Sequence, residues 1–168
     1  MNKKGHVLNA ALLAIGLGYV LQPSGDVETF RTIAELSVPI VLGALFPDVD
    51  TAFGKHRKTL HNLPILAVFL AYPLYFANLQ YVWIGVATHY LLDMVGSKRG
   101  IALFYPISKT EYGLPTGVTT SSDRADLLTV VITGAELAAL AAVQFYLVDL
   151  NTGAPRESVA TMLTSLPF

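Results

Sequence analysis

The sequence predicts an all-α fold: a small polytopic membrane helix bundle of about five spans, with its N-terminus inside. Three observations carry that prediction. Charged residues make up 14% of the 168 positions, against roughly 25% in an ordinary soluble domain. Hydrophobic residues make up 53% and the mean hydropathy is +0.53, more apolar surface than most soluble chains of this length could hide. Lysine and arginine also fall almost entirely on one set of loops once the apolar runs are read as spans.

The length suits a single domain, taken as 1–150, with a polar C-terminal tail over 151–168. Cysteine is absent, which excludes disulfides, thiolate metal sites and a cysteine nucleophile. The net charge of −1 says little about partners, and there is no direct nucleic-acid signal.

The elements follow in order. Lys3 and Lys4 precede an apolar run from Val7 to Leu21. This is the basic-then-apolar start of a signal peptide, but no small-x-small cleavage site follows it. An uncleaved first span is expected, closed by a turn at Pro23-Ser24-Gly25. The second apolar segment, Arg31–Phe46, reaches only about 24 Å as a helix, short of a hydrocarbon core of about 30 Å. Pro39 is expected to kink it and Pro47 to limit it. Leu63–Val95 has no Lys, Arg or Glu, and Asp93 is its one Asp. It is too long for one span, so Asn78–Gln80 is read as the turn of an antiparallel pair. A loop rich in Gly, Ser, Thr and Pro fills 96–123. Ser122 or Asp123 would cap a last span, Leu127–Val148, whose single charge is Glu136.

Orientation follows from the basic residues. With the N-terminus inside, Lys3, Lys4, Lys55, Arg57, Lys58, Lys98, Arg99, Lys109 and Arg124 are inside, and only Arg31 and Arg156 are outside. Histidine was not used in that count. His6, His56, His61 and His89 nonetheless all fall at the inner ends of spans or in an inner loop.

The chemistry gathers there. The stretch Gly43–His61 holds Asp48 and Asp50, then His56, Arg57 and His61 in the loop 47–62. His89 and Asp93, four apart, share one helix face. Each piece has an ordinary explanation. Pro-Asp-x-Asp makes a turn whose Asp caps a helix, and a polar loop at the lipid interface accounts for His56 and His61. His6 could be an interfacial residue. Converging at one end of a bundle, the seven are metal-ligand candidates: His6, Asp48, Asp50, His56, His61, His89 and Asp93. An N/O set without thiolate suits zinc, with manganese or iron as other fits, and seven ligands could hold one to three ions. Two such ions would clamp both oxygens of a phosphoester displacement. Arg57 would give a bidentate contact to phosphate, and Asp50 or Asp48 could act as general base. Lys98 and Arg99 would help as point charges, or would attract anionic lipid headgroups. Glu136, an acid at membrane depth, is a functional candidate by default, or else a protonated side chain hydrogen-bonded to a neighbouring helix; it is kept outside the site.

The run Gly43…Pro47-Asp48-x-Asp50, His56-Arg57-x-x-x-His61, His89-x-x-x-Asp93 and Gly100…Pro106 resembles the YdjM-like family. Its members are described as membrane-bound metal-dependent hydrolases, or as LexA-binding, inner-membrane-associated hydrolases. His6 matches the histidine that such proteins carry at the start of the first helix. Relatives often have Thr-His-Ser where this chain has Leu60-His61-Asn62. More distantly, the pattern is similar to the zinc-dependent phospholipase C and single-strand nuclease superfamily, all-helical phosphodiesterases with clustered zinc ions.

The resemblance implies a metal-dependent hydrolase in the cytoplasmic (inner) membrane. It would act on a phosphoester or phospholipid-type substrate at the cytoplasmic face, with membrane lipids around it. The alternative is a non-enzymatic adaptor or regulator, whose metal site is structural and whose inner loops bind a cytoplasmic protein. An ion carrier using Glu136, His89 and Asp93 is a third reading. Short spans without an internal repeat argue against it.

Overall fold

In the computed structural model, which describes residues 2–76, 78–115, 117, 119, 122, 124–150, 154 and 156, the chain is a small all-helical membrane bundle. Five α-helices follow in order: α1 Lys3–Leu21, α2 Val27–Leu45, α3 Leu63–Phe76, α4 Val82–Val95 and α5 Ala125–Ala142. A 3-10 turn, Pro47–Ala52, follows α2, and a π turn, Val143–Leu147, extends α5. The described residues contain no strand; Ile101 and Tyr112 form an isolated antiparallel bridge.

The helix ends have local causes. Asn2 caps α1 by accepting from the Gly5 N–H at 2.8 Å. α2 starts four residues before the expected Arg31 because Asp26 accepts from the N–H groups of Glu28 and Thr29. The turn before it uses Gly25 at φ 72°, a left-handed conformation that glycine adopts freely. Pro39 lies inside α2 without ending it. Pro47, lacking an N–H, opens the 3-10 turn instead. Before α5, the Ser122 hydroxyl accepts from the Arg124 N–H at 3.2 Å. The N-cap of α5 is Arg124, with no side-chain cap, so Ser122 does not cap the helix as expected; the other candidate, Asp123, lies outside the described residues, as does the tail except for 154 and 156.

Three of the five helices are long and apolar enough to cross a membrane: α1, α2 with its 3-10 turn, and α5 with its π turn. α3 and α4 have 14 residues each and rise only about 21 Å. The turn between them lies beside Glu35–Leu42 in the middle of α2, across a cavity of about 350 Å3. The pair therefore reaches only part of the way along α2. The expected turn at Asn78–Gln80 falls between the two helices. α3 has no buried residue, and Val68, Leu70 and Leu74 are exposed. Among lipid tails, as apolar as leucine, such a helix needs no protein partner.

α1 packs on α2 and α5, and α2 packs on α4. Ala10, Ala14, Leu17, Leu36, Ile40, Ala44 and Ile84 form the main core. Two glycines set the α2–α4 crossing. A Cβ on Gly43 would meet the Val82 carbonyl, and one on Gly85 would meet the Ile40 carbonyl and the Ala44 N–H. Small residues let membrane helices touch backbone to backbone. This contact brings the next turn of α4, with His89, against the C-terminal end of α2.

Candidate metal centre

The crossing has a chemical consequence. α2 ends at Leu45, so the Ala44 carbonyl lies among those left without a helical partner. His89 Nδ1 lies 2.6 Å from that oxygen. A carbonyl only accepts, so Nδ1 carries the proton and the neutral ring's lone pair is on Nε2.

His61 is arranged in the same sense from a loop. Its Nδ1 lies 3.0 Å from Asp50 Oδ2, which again leaves the lone pair on Nε2. Tyr90 fixes the backbone on both sides, its hydroxyl donating to the Leu60 carbonyl and accepting from the Asn62 N–H at 3.2 Å. Asn62 in turn caps α3, accepting from the Ile65 N–H at 3.1 Å. Burial holds the His61 imidazole below the usual histidine range, although the carboxylates of Asp50 and Asp93 pull the other way. The neutral ring is the metal-binding form.

The two lone pairs meet. His61 Nε2 and His89 Nε2 are 3.1 Å apart. Asp48 Oδ1 lies 3.9 Å from the first and 3.8 Å from the second. Asp93 Oδ2 lies 3.7 Å from each. A tetrahedral zinc with ligands at about 2.0–2.1 Å has ligand–ligand edges of about 3.4 Å. Two lone pairs this close, each flanked by carboxylate oxygens, repel one another, and cations bound there remove the repulsion.

Asp93 also faces a second group. Its Oδ1 lies 3.5 Å from His6 Nε2. The His6 ring stacks on His89 with centroids 3.7 Å apart. His6 is buried, and among the described residues neither of its ring nitrogens has a hydrogen-bond partner. Buried polar groups are nearly always satisfied, so an orphaned imidazole calls for a ligand. His6, His89 and Asp93 thus form one buried group that could hold a metal ion, and Asp48, His56 and His61 a second.

Asp50 belongs to neither group. It is fully buried, with Oδ1 on His56 Nδ1 at 3.0 Å and Oδ2 on His61 Nδ1 and the Leu60 N–H. It has the position of the outer carboxylate that orients ligating histidines. His56, the most exposed of the four histidines, stands at the rim.

Arg57 is buried too. Its Nη1 donates to Ser97 Oγ at 2.9 Å and to the Arg99 carbonyl. Nη2 lies 3.6 Å from Asp93 Oδ1. With Nη1 so held, Nη2 is the edge that faces the centre. Its backbone has φ 66°, unusual for a residue other than glycine, and its carbonyl accepts from the Ala102 N–H at 2.9 Å. Lys58 and Arg99 both reach Glu111. Partial burial opposes ionisation of Glu111, but hydrogen bonds from Arg99 and Lys58 outweigh it and hold the carboxyl below its usual range. These contacts tie the loop 47–62 to the loop after α4. Lys98 has no part in the contacts described.

Glu136 lies away from the centre. It accepts from Asn9 Nδ2, which also donates to Thr133 Oγ1 at 2.9 Å. Asn9, Tyr90 and Ser97 are the residues that motif reading passed over. Each was visible as a polar side chain within three positions of a histidine or beside a basic pair, in otherwise apolar sequence.

A cleft of about 380 Å3 opens beside the centre, lined by Lys3, Leu45, Asp48, Val49, Thr51 and Ala52. Asp48 is thus shared between the ligand cluster and the surface.

No curated protein and no solved structure matches the chain. A family model described as YdjM inner membrane protein matches residues 1–160, all of the helical bundle and all seven candidate ligands. On that match the chain belongs to the YdjM inner membrane protein family.

Proposed function

We infer that this protein is a multi-pass, metal-dependent hydrolase of phosphoesters, with its site at the cytoplasmic face of the inner membrane. One observation carries the reading: two imidazole lone pairs 3.1 Å apart, flanked by two carboxylate oxygens. His6, His89 and Asp93 would hold one ion, and Asp48, His56 and His61 a second. The nitrogen and oxygen donor set fits zinc, with manganese and iron the other candidates. When bound, such ions supply Lewis acidity to a phosphoryl oxygen and lower the pKa of a water.

The chain's own groups do the rest. Asp50 orients His56 and His61. Asp48 lines the cleft and is placed to take a proton from a water there. Arg57 holds Asp93 in place and offers Nη2 to a phosphoryl oxygen, one contact in place of a bidentate clamp. The lysines and arginines gathered at this end favour an anionic substrate and support a cytoplasmic orientation. A non-enzymatic adaptor with a structural metal site would need a coordination sphere closed to water. The cleft at Asp48 argues for the enzyme.

The test is metal analysis of detergent-purified protein, with assays on phosphodiesters and phospholipids. We expect stoichiometric metal and hydrolysis, both reduced in His61→Ala and Asp93→Ala. A metal-free wild type, with both variants matching it in every assay, would sink the reading.

A further inference from the structure

The cleft at Asp48 has an apolar neighbour. A groove of about 360 Å3 runs between α2 and α3, lined by Leu42, Leu45, Phe46, Val49 and Phe69, and closed at its deep end by Leu79 and Val82. Phe46 and Phe69 meet edge to face across it, with centroids 4.9 Å apart. Leu45 and Val49 line both the groove and the cleft. One side of this shared lip is wholly apolar. The other carries Asp48 and the exposed cation Lys3.

That arrangement has the polarity of a membrane lipid. We propose that the groove holds one acyl chain of a phospholipid while its phosphate, carried over the Leu45–Val49 lip, sits between Lys3 and the metal centre at Asp48. The proposal rests on the hydrolase reading and narrows its substrate to a phosphoester taken sideways from the bilayer.

Three features support it. α3 buries none of its residues and packs mainly on α4, so the α2–α3 side is open to lipid. The groove runs along α2 from Leu42 to the lip, about 10 Å of helix, and ends at the level of the ligand Asp48. Lys3, the nearest cation lining the cleft, matches the phosphate in charge and leaves the acyl chain no polar group to meet.

The experiment is photocrosslinking in bilayers. Purified protein is placed in vesicles doped with a phospholipid bearing a diazirine on its acyl chain, or with a diacylglycerol bearing the same diazirine. Labelled peptides are mapped by mass spectrometry. The expected result is phospholipid labelling of the Leu42–Val49 and Phe69 peptides at least five-fold above diacylglycerol labelling. Leu42→Trp and Val49→Trp should each remove that excess by filling the groove. Both positions are exposed, so neither change disrupts the core, and unchanged metal content checks folding. Lys3→Gln should reduce the excess without abolishing labelling.

Equal labelling by the two lipids would overturn the proposal, because the groove would then hold only bulk lipid. So would labelling that both tryptophan variants leave unchanged. Metal-loaded protein that cleaves a water-soluble phosphodiester yet labels equally refutes the groove and leaves the hydrolase reading standing. Headgroup-dependent labelling of a protein that hydrolyses nothing refutes the hydrolase reading and leaves the lipid site.

Discussion

Adding one methyl group at Gly85 should weaken the metal centre without touching a ligand. A Cβ there would sit 2.6 Å from the Ala44 N–H and closer still to the Ile40 carbonyl. These are backbone atoms and cannot rotate away. Restoring the Ala44 contact alone to an ordinary 3.4 Å takes about 0.8 Å of movement between α2 and α4, the closer Ile40 carbonyl asks for more, and overpacking of this kind costs about 1–3 kcal/mol. The same movement would stretch the hydrogen bond from His89 Nδ1 to the Ala44 carbonyl from 2.6 Å toward the limit of a hydrogen bond. Losing a partner of this kind typically costs 10–100-fold in metal affinity, about 1.4–2.7 kcal/mol. The assay is zinc titration of Gly85→Ala against a competing chelator in detergent, beside far-ultraviolet circular dichroism. Wild-type zinc affinity in a folded Gly85→Ala protein would refute both the crossing argument and the role of His89.

Further outcomes follow from the same geometry. Asp50→Asn keeps the shape but can no longer accept from both imidazoles, so chelator titration should show zinc affinity falling 10–100-fold. Unchanged affinity would remove Asp50 from the supporting shell. Burial depresses the His61 pKa below its ordinary 6.5. As pH falls, the unfolded chain therefore binds the proton first, and stability is full above about 6.5 and declines below it. Protons also compete with metal for that ring, so metal retained after dialysis at pH 5.5 should fall below that at pH 7.5, and equal retention would contradict the assignment. Asn9→Leu strips the donor from buried Glu136 and should cost about 1–3 kcal/mol, measured by denaturant unfolding in detergent. Adding Glu136→Leu should restore most of the loss, and an unshifted midpoint in the single variant would show the pair to be idle.

Much of the fold was legible because its causes are local. Apolar runs, the turn signals at Pro23–Gly25 and Asn78–Gln80, and the break at Pro47 each act within a few residues. The gathering of the four histidines was legible for a related reason: in an antiparallel bundle, loops of alternate parity fall at the same end, whatever the packing. The lengths of α3 and α4 were less so. A continuous apolar stretch from Leu63 to Val95 does not reveal that its turn stops beside Glu35–Leu42. Nor did spacing separate Asp48 from Asp50. The two are two residues apart in a 3-10 segment, about two-thirds of a turn, and only the placement of His56 and His61 turns one toward the cluster and the other behind the rings. The commitment of Arg57 Nη1 to Ser97 and the Arg99 carbonyl is likewise a tertiary fact, written by a loop forty residues away.

The stacking of His6 on His89 also bears on how the protein is made. His6 leaves the ribosome among the first residues, and Asp93 follows 87 positions later. At about 5–20 residues per second, that gap is roughly 4–17 s of synthesis. Throughout it His6 is made but lacks the aspartate that faces it in the finished bundle. His89, on which it stacks, and Asp93, which faces it, arrive only with α4, the fourth helix in order. Completion of the ligand cluster thus coincides with correct assembly of α1, α2 and α4, and a chain stalled before α4 would have nothing to close on. Metal capture would then mark a finished topology, giving quality control a chemical difference between mature and half-inserted chains.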